Sequence, residues 1–234
     1  MNFTRHIAAL GLFSAAALAI APNAQAASFG TSGISFDKDT TLEFTFQVSH
    51  GKFESELGAF DISSAISSIL LEEVDRADEG FKSDDLGWKG TCGDAVAVCT
   101  AKYTFEANKS YSLRLLSELN GSFKSLMSST STDNNGSKQR AIFASQSVFE
   151  TNIFTLEDGQ GFGNAASYTD GLALLKGAGV WIGFDDGGNG DDMDYQDFVV
   201  SAKIVEEDVP EPASIMGLMV VGAAALKLRR RNDA

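Results

Sequence analysis

The chain has 234 residues, 44% of them hydrophobic and 21% charged, and a formal net charge of -14. That length and balance suit one globular domain with processing segments and exclude a mainly disordered chain. The acidity repels nucleic acid and anionic membrane surfaces and attracts divalent cations, with solubility alone as the plainer reading.

Residues 1–26 carry the three parts of a secretory signal peptide. Arg5 and His6 form the charged start, Ile7 to Ile20 is an apolar run, and Ala24-Gln25-Ala26 is an A-x-A cleavage site. Signal peptidase is expected to cut between Ala26 and Ala27, because the apolar run is shorter than the roughly 20 residues a permanent span requires. The three prolines, Pro22, Pro210 and Pro212, all lie near the chain ends. The turns of the body, residues 27–206, must therefore use Gly, Asn, Asp and Ser.

The body reads as all-β, an antiparallel, jelly-roll-like β-sandwich with one short helix. Thr41 to Val48 alternates, with Leu42, Phe44, Phe46 and Val48 on one face. Asp61 is placed to cap a helix that carries Ile62, Ile66, Ile69 and Leu70 on one face and ends near Gly80. Cys92 and Cys99 are the only cysteines, and in an oxidising compartment they are expected to form a disulfide across a small loop. Strands follow from Tyr103 and Phe105 and through Tyr111, Leu113 and Leu115. Ser128 to Gly136 is polar and reads as an exposed loop. Ala141 to Leu156 is rich in Ile, Phe and Val and reads as two strands. The last two strands are marked by Val180, Ile182 and Phe184, then by Phe198, Val200, Ala202 and Ile204.

Between these last two strands lie six aspartates in thirteen residues, Asp185 to Asp197. Hard oxygen ligands on a glycine-rich loop suit Ca2+, which takes six to eight of them. The candidate ligands are Asp185, Asp186, Asp192, Asp194 and Asp197. Asp192, Asp194 and Asp197 form the best local group, since the first two share a face of an extended run. The loop lacks the EF-hand spacing, and a solvated acidic hairpin without an ion is the alternative. Gly183-Phe184-Asp185-Asp186 followed by Asp192-Met193-Asp194-Tyr195-Gln196-Asp197 resembles the C-terminal signature of the DUF4114 family, with Asp185 and Gln196 standing where that family tends to have Glu and Asn. The resemblance implies a secreted β-rich module.

The chain closes with Val209-Pro210-Glu211-Pro212-Ala213-Ser214, an apolar stretch from Ile215 to Leu226, and Lys227-Leu228-Arg229-Arg230-Arg231. The arginines are expected to stay cytoplasmic. This order resembles the PEP-CTERM sorting domain over residues 209–234, with a hydrophobic transmembrane helix at 213–228. The resemblance implies recognition and cleavage near Val209, Pro210, Glu211 and Pro212 by an exosortase-type membrane peptidase. It also implies export across the inner membrane, a transient anchor, and residence at the outer surface or in the biofilm matrix of a Gram-negative bacterium.

Enzyme constellations are missing. Only His50 remains after removal of the signal peptide, no G-x-S-x-G occurs, and zinc sites want several His or Cys ligands. The expectation is a non-enzymatic structural or adhesive surface protein without catalytic residues, whose partners are exopolysaccharide or other matrix proteins. The alternatives are a carbohydrate-binding module for exopolysaccharide, and a glycan hydrolase built on two carboxylates.

Overall fold

The computed structural model describes residues 26–75, 89–155, 161–162, 168–187 and 193–205. The signal peptide and the C-terminal sorting segment lie outside the described residues, apart from Ala26. Among the described residues no helix is long and apolar enough to cross a membrane.

Two antiparallel sheets face each other. The strands are β1 (Ser28–Gly30), β2 (Gly33–Ser35), β3 (Thr40–Val48), β4 (Glu54–Asp61), β5 (Ile66–Glu72), β6 (Thr100–Phe105), β7 (Tyr111–Leu119), β8 (Ser122–Ser128), β9 (Ala141–Ala144), β10 (Val180–Phe184) and β11 (Phe198–Ile204). The first sheet runs β1-β2-β7-β4-β5, with β8 also paired to β7, and the second runs β6-β3-β11-β10-β9. The all-β sandwich is therefore present. Its core is the space between the sheets, filled by Phe29, Leu42, Phe44, Leu57, Phe105, Leu113, Phe143, Ile182, Phe184 and Phe198 among others. Alternating Thr, Phe and Leu in β3 suits a pleat that is buried on one side.

Four expectations are corrected. The helix after Asp61 does not form. Asp61 Oδ1 does accept the backbone N–H groups of Ser63 and Ser64, at 2.8 and 3.2 Å, as a helix cap would. Ala65 then adopts φ 56°, and the chain returns along β4 as β5. A register shift between Leu57 and Gly58 leaves Leu70 without a partner, so consecutive Leu70 and Leu71 are both buried while Ile66 and Ile69 are exposed. The bulge accounts for the adjacent burial of Leu70 and Leu71, while Ile62, Ile66 and Ile69, the rest of the helix-like stripe, lie exposed.

Val48 also leaves the face of its neighbours. In β3, Val48 pairs with Val199 and Phe46 with Val200, so Gln47 is the extra residue of a bulge. Leu42, Phe44 and Phe46 enter the main core, whereas Val48 joins a second cluster on the other side of the sheet. Third, among the described residues of the run from Ala141 to Leu156 there is one strand, not two. After β9 the chain makes α1 (Gln146–Val148), which widens into a π turn over Phe149–Ile153. Phe149 and Ile153 cover the outer face of the second sheet with Ile142, Ala144, Tyr195 and Val199. A second short helix, α2, spans Leu172–Leu175.

Finally, the Ser128 to Gly136 run is not a wholly exposed loop. Ser128, Ser129, Thr130 and Asn134 are buried. The Asn134 amide accepts from Ser128 N–H at 2.7 Å and donates to the carbonyls of Ser128 and Lys138. Burial is tolerated where the polar group finds a partner, as the Asn134 amide and the Ser128 and Ser129 hydroxyls do, whereas Thr130 Oγ1 has none among the described residues.

Candidate functional site

The acidic loop sits at one end of the second sheet, between the end of β10 and the start of β11. Asp185 and Asp186 directly follow β10, and Asp197 directly precedes β11, so strand pairing fixes all three backbones. Their carboxylates converge: one oxygen from each lies within 4.8 Å of the others. Two oxygens each bound to one calcium at about 2.4 Å can be at most about 4.8 Å apart. The three separations thus meet the distance limit that sharing one ion would require.

All three are buried, at 0%, 1% and 4% exposure respectively. Asp186 N–H donates to Asp197 Oδ2 at 2.7 Å, and Gly187 N–H donates to Asp185 Oδ1 at 2.7 Å. Arg140, itself buried at the head of β9, places Nη1 2.5 Å from Asp185 Oδ2. Burial pushes the Asp197 carboxyl well above the usual range, and the charges of Asp186, Asp194 and Asp185 push it further. Carboxylates packed this closely in a dry site must share a cation or hold a proton.

The grouping differs from the local pattern of the sequence. Asp194 is buried but turns to Gln196, whose Nε2 donates to its Oδ2 at 3.1 Å. The run is not extended there, because Met193 and Tyr195 have φ of 59° and 63° and break the alternation. Asp192 lies outside the described residues. Gln196 Oε1 is buried and has no hydrogen-bond partner among the described residues.

Three residues that support the site were not flagged by the sequence. Arg140 lies 45 positions from Asp185, and only the β9–β10 pairing brings them together. Gly51 must remain small, since a Cβ there would meet Asp186 Oδ2 and the Asp197 carbonyl at 3.0 Å. Glu73 is buried beneath the loop that carries the Cys92–Cys99 disulfide, whose Cα atoms are 5.6 Å apart. Ser49 Oγ donates to Glu73 Oε1, and Ser55 N–H donates to Oε2 at 2.9 Å.

Burial raises the Glu73 carboxyl well above its ordinary value of 4.5, with the Asp186 charge adding to the effect. A carboxyl with a raised folded-state pKa stabilises the fold fully below its unfolded value. That contribution is lost as pH climbs through the folded value. Stability should thus fall as pH rises above about 4.5, by about 1.4 kcal/mol per pH unit for each extra proton the folded state holds. Glu73→Gln should flatten the slope in melting curves taken from pH 4.5 to 8; an unchanged slope would place the proton elsewhere.

Comparison with known proteins bears on routing. Residues 208–231 match the PEP-CTERM protein-sorting motif. The chain carries the tail of an exported protein that is held transiently at the membrane and processed by an exosortase, a membrane peptidase. The match does not extend to the β-sandwich. No curated protein and no solved structure matches the chain.

Proposed function

We propose that the exported sandwich is a non-enzymatic structural or adhesive module of the outer cell surface or extracellular matrix, stabilised by one calcium ion at Asp185, Asp186 and Asp197. The observation that supports this is the convergence of three buried carboxylates against a single arginine, with Asp194 buried nearby. A divalent cation relieves that repulsion. Rigidity of this kind suits a protein that must persist outside the cell among exopolysaccharide and other matrix proteins. The non-catalytic reading is supported by His50. Burial, with Lys89 adding to it, lowers its pKa to about 4, and its Nδ1 has no hydrogen-bond partner among the described residues. It therefore lacks the carboxylate that would orient a catalytic base.

Calcium at a hundredfold excess over its Kd should add about 2.7 kcal/mol. That corresponds to a rise in Tm on the order of 5–10 °C for a domain of this size. Chelation should remove the rise, and Asp186→Asn with Asp197→Asn should abolish the response to calcium. Identical melting curves with calcium and with chelator would refute the metal site.

A further inference from the structure

The outer face of the second sheet carries a feature unrelated to the acid cluster. Two adjoining grooves flank Trp181 of β10 and Gln47 of β3, which line both. The first, of about 620 Å³, is also lined by His50, Phe154, Lys89 and Thr91. The second, of about 540 Å³, adds Ser145, Ser147, Ser201 and Lys203. Both fall in the range of small-ligand sites, roughly 300–1,000 Å³.

The charge of this surface departs from that of the molecule. The chain holds 32 acidic residues against 18 basic ones, yet among the described residues neither groove is lined by a carboxylate. The lining is indole, phenyl, imidazole, amide and hydroxyl, with two lysines. One of these is already satisfied, since Lys203 Nζ lies 2.8 Å from Glu43 Oε1. His50 is neutral above about pH 4. The grooves therefore offer apolar faces and mostly neutral hydrogen-bonding groups, with the Lys89 ammonium as a charged donor at one side of the first.

Trp181 is held in place before any ligand arrives. Its ring packs on Phe149 at 5.7 Å and on Phe154 at 6.1 Å between centroids, and His50 stacks parallel to Phe154 at 6.1 Å. It remains partly exposed beside them. The bulge at Gln47 sets the amide next to it, where Nε2 donates to Ser201 Oγ at 2.9 Å. Bulges commonly re-aim a side chain in this way at binding sites.

We propose that these grooves form one binding site for a neutral oligosaccharide, with a pyranose ring seated on Trp181 and the chain continuing on both sides. A pyranose presents an apolar C–H face bordered by hydroxyls. The C–H face suits the electron-rich face of an indole. The hydroxyls need donors and acceptors that replace water, and Gln47, Thr91, Ser145, Ser147 and Ser201 provide them. A polyanionic chain is disfavoured by the net charge of -14. The site stands whether or not the acid cluster holds calcium.

The test is calorimetric titration of the purified protein with three neutral glucose hexasaccharides, β-1,4-, β-1,3- and α-1,4-linked, and with a hexauronate of the same length. Each titration is run in calcium and in chelator. At least one neutral hexasaccharide should bind, unchanged between pH 5.5 and 8, and the hexauronate should bind at least tenfold more weakly. Trp181→Ala should weaken binding at least tenfold. Because Trp181 also packs on Phe149, Gln47→Ala is the second variant, expected to lose several-fold affinity with its melting curve preserved. Failure of all three neutral sugars at millimolar concentration, full affinity in either variant, or tighter binding of the hexauronate would each overturn the proposal.

Discussion

Replacing Arg140 by alanine should cost the fold about 3–5 kcal/mol, the usual penalty for removing one partner of a buried ion pair. The guanidinium faces Asp185 at 2.5 Å, and the two side chains are 9% and 0% exposed. Without it, Asp185 is left among Asp186 and Asp197 in a buried pocket, with no other basic side chain in hydrogen-bond contact with it among the described residues. The loss should appear as a fall in Tm on the order of 10 °C in chelator. Saturating calcium should return part of it, because the ion supplies the missing charge. Asp185→Asn combined with Arg140→Met should be milder than Arg140→Ala, since both charges then leave together. A drop below about 1 kcal/mol for Arg140→Ala would show that water, not the arginine, solvates this carboxylate.

Phe149→Ala should be comparably severe, at about 3–5 kcal/mol, through a different mechanism. Phe149 is fully buried and lies over Gly183, where an added Cβ would meet its Cε1 at 2.6 Å. It anchors the π turn to the sheet, with Phe154 at 5.9 Å and Trp181 at 5.7 Å. Truncation opens a cavity under Trp181 and loosens the turn that covers Val199 and Tyr195. Phe149→Leu should recover most of the loss in denaturant melts, because it refills the volume without the ring. Equal damage from both variants would mean that ring geometry, not volume, holds the turn.

Much of the fold was legible wherever periodicity survived. Leu42, Phe44 and Phe46 marked β3, Val180 to Phe184 marked β10, and Phe198 to Ile204 marked β11. Asn120-Gly121 is a readable hairpin signal. Asn120 and Gly121 adopt φ of 54° and 69°, and join β7 to β8 by the tightest kind of hairpin turn. Elsewhere the pattern misled because of bulges, which change the face of every later residue in the strand. Leu70 is buried beside Leu71, and Val48 turns to the side of its sheet opposite Phe46. A bulge is set by the pairing of two strands, so one strand's pattern alone does not identify it.

The sequence by itself determined the class of the body and the routing of the chain. Alternating apolar residues require a half-buried sheet, and the Val-Pro-Glu-Pro tail with its arginines is a contiguous address that needs no fold to be read. It also located the acidic loop between two strands. Only the tertiary structure decided which aspartates meet, that Arg140 and Glu73 share their surroundings, and that Trp181 and Gln47 stand side by side. The physical reason is distance along the chain. A local pattern records which face a residue takes, whereas a site is made by the pairing and packing that carry distant residues to the same few ångströms.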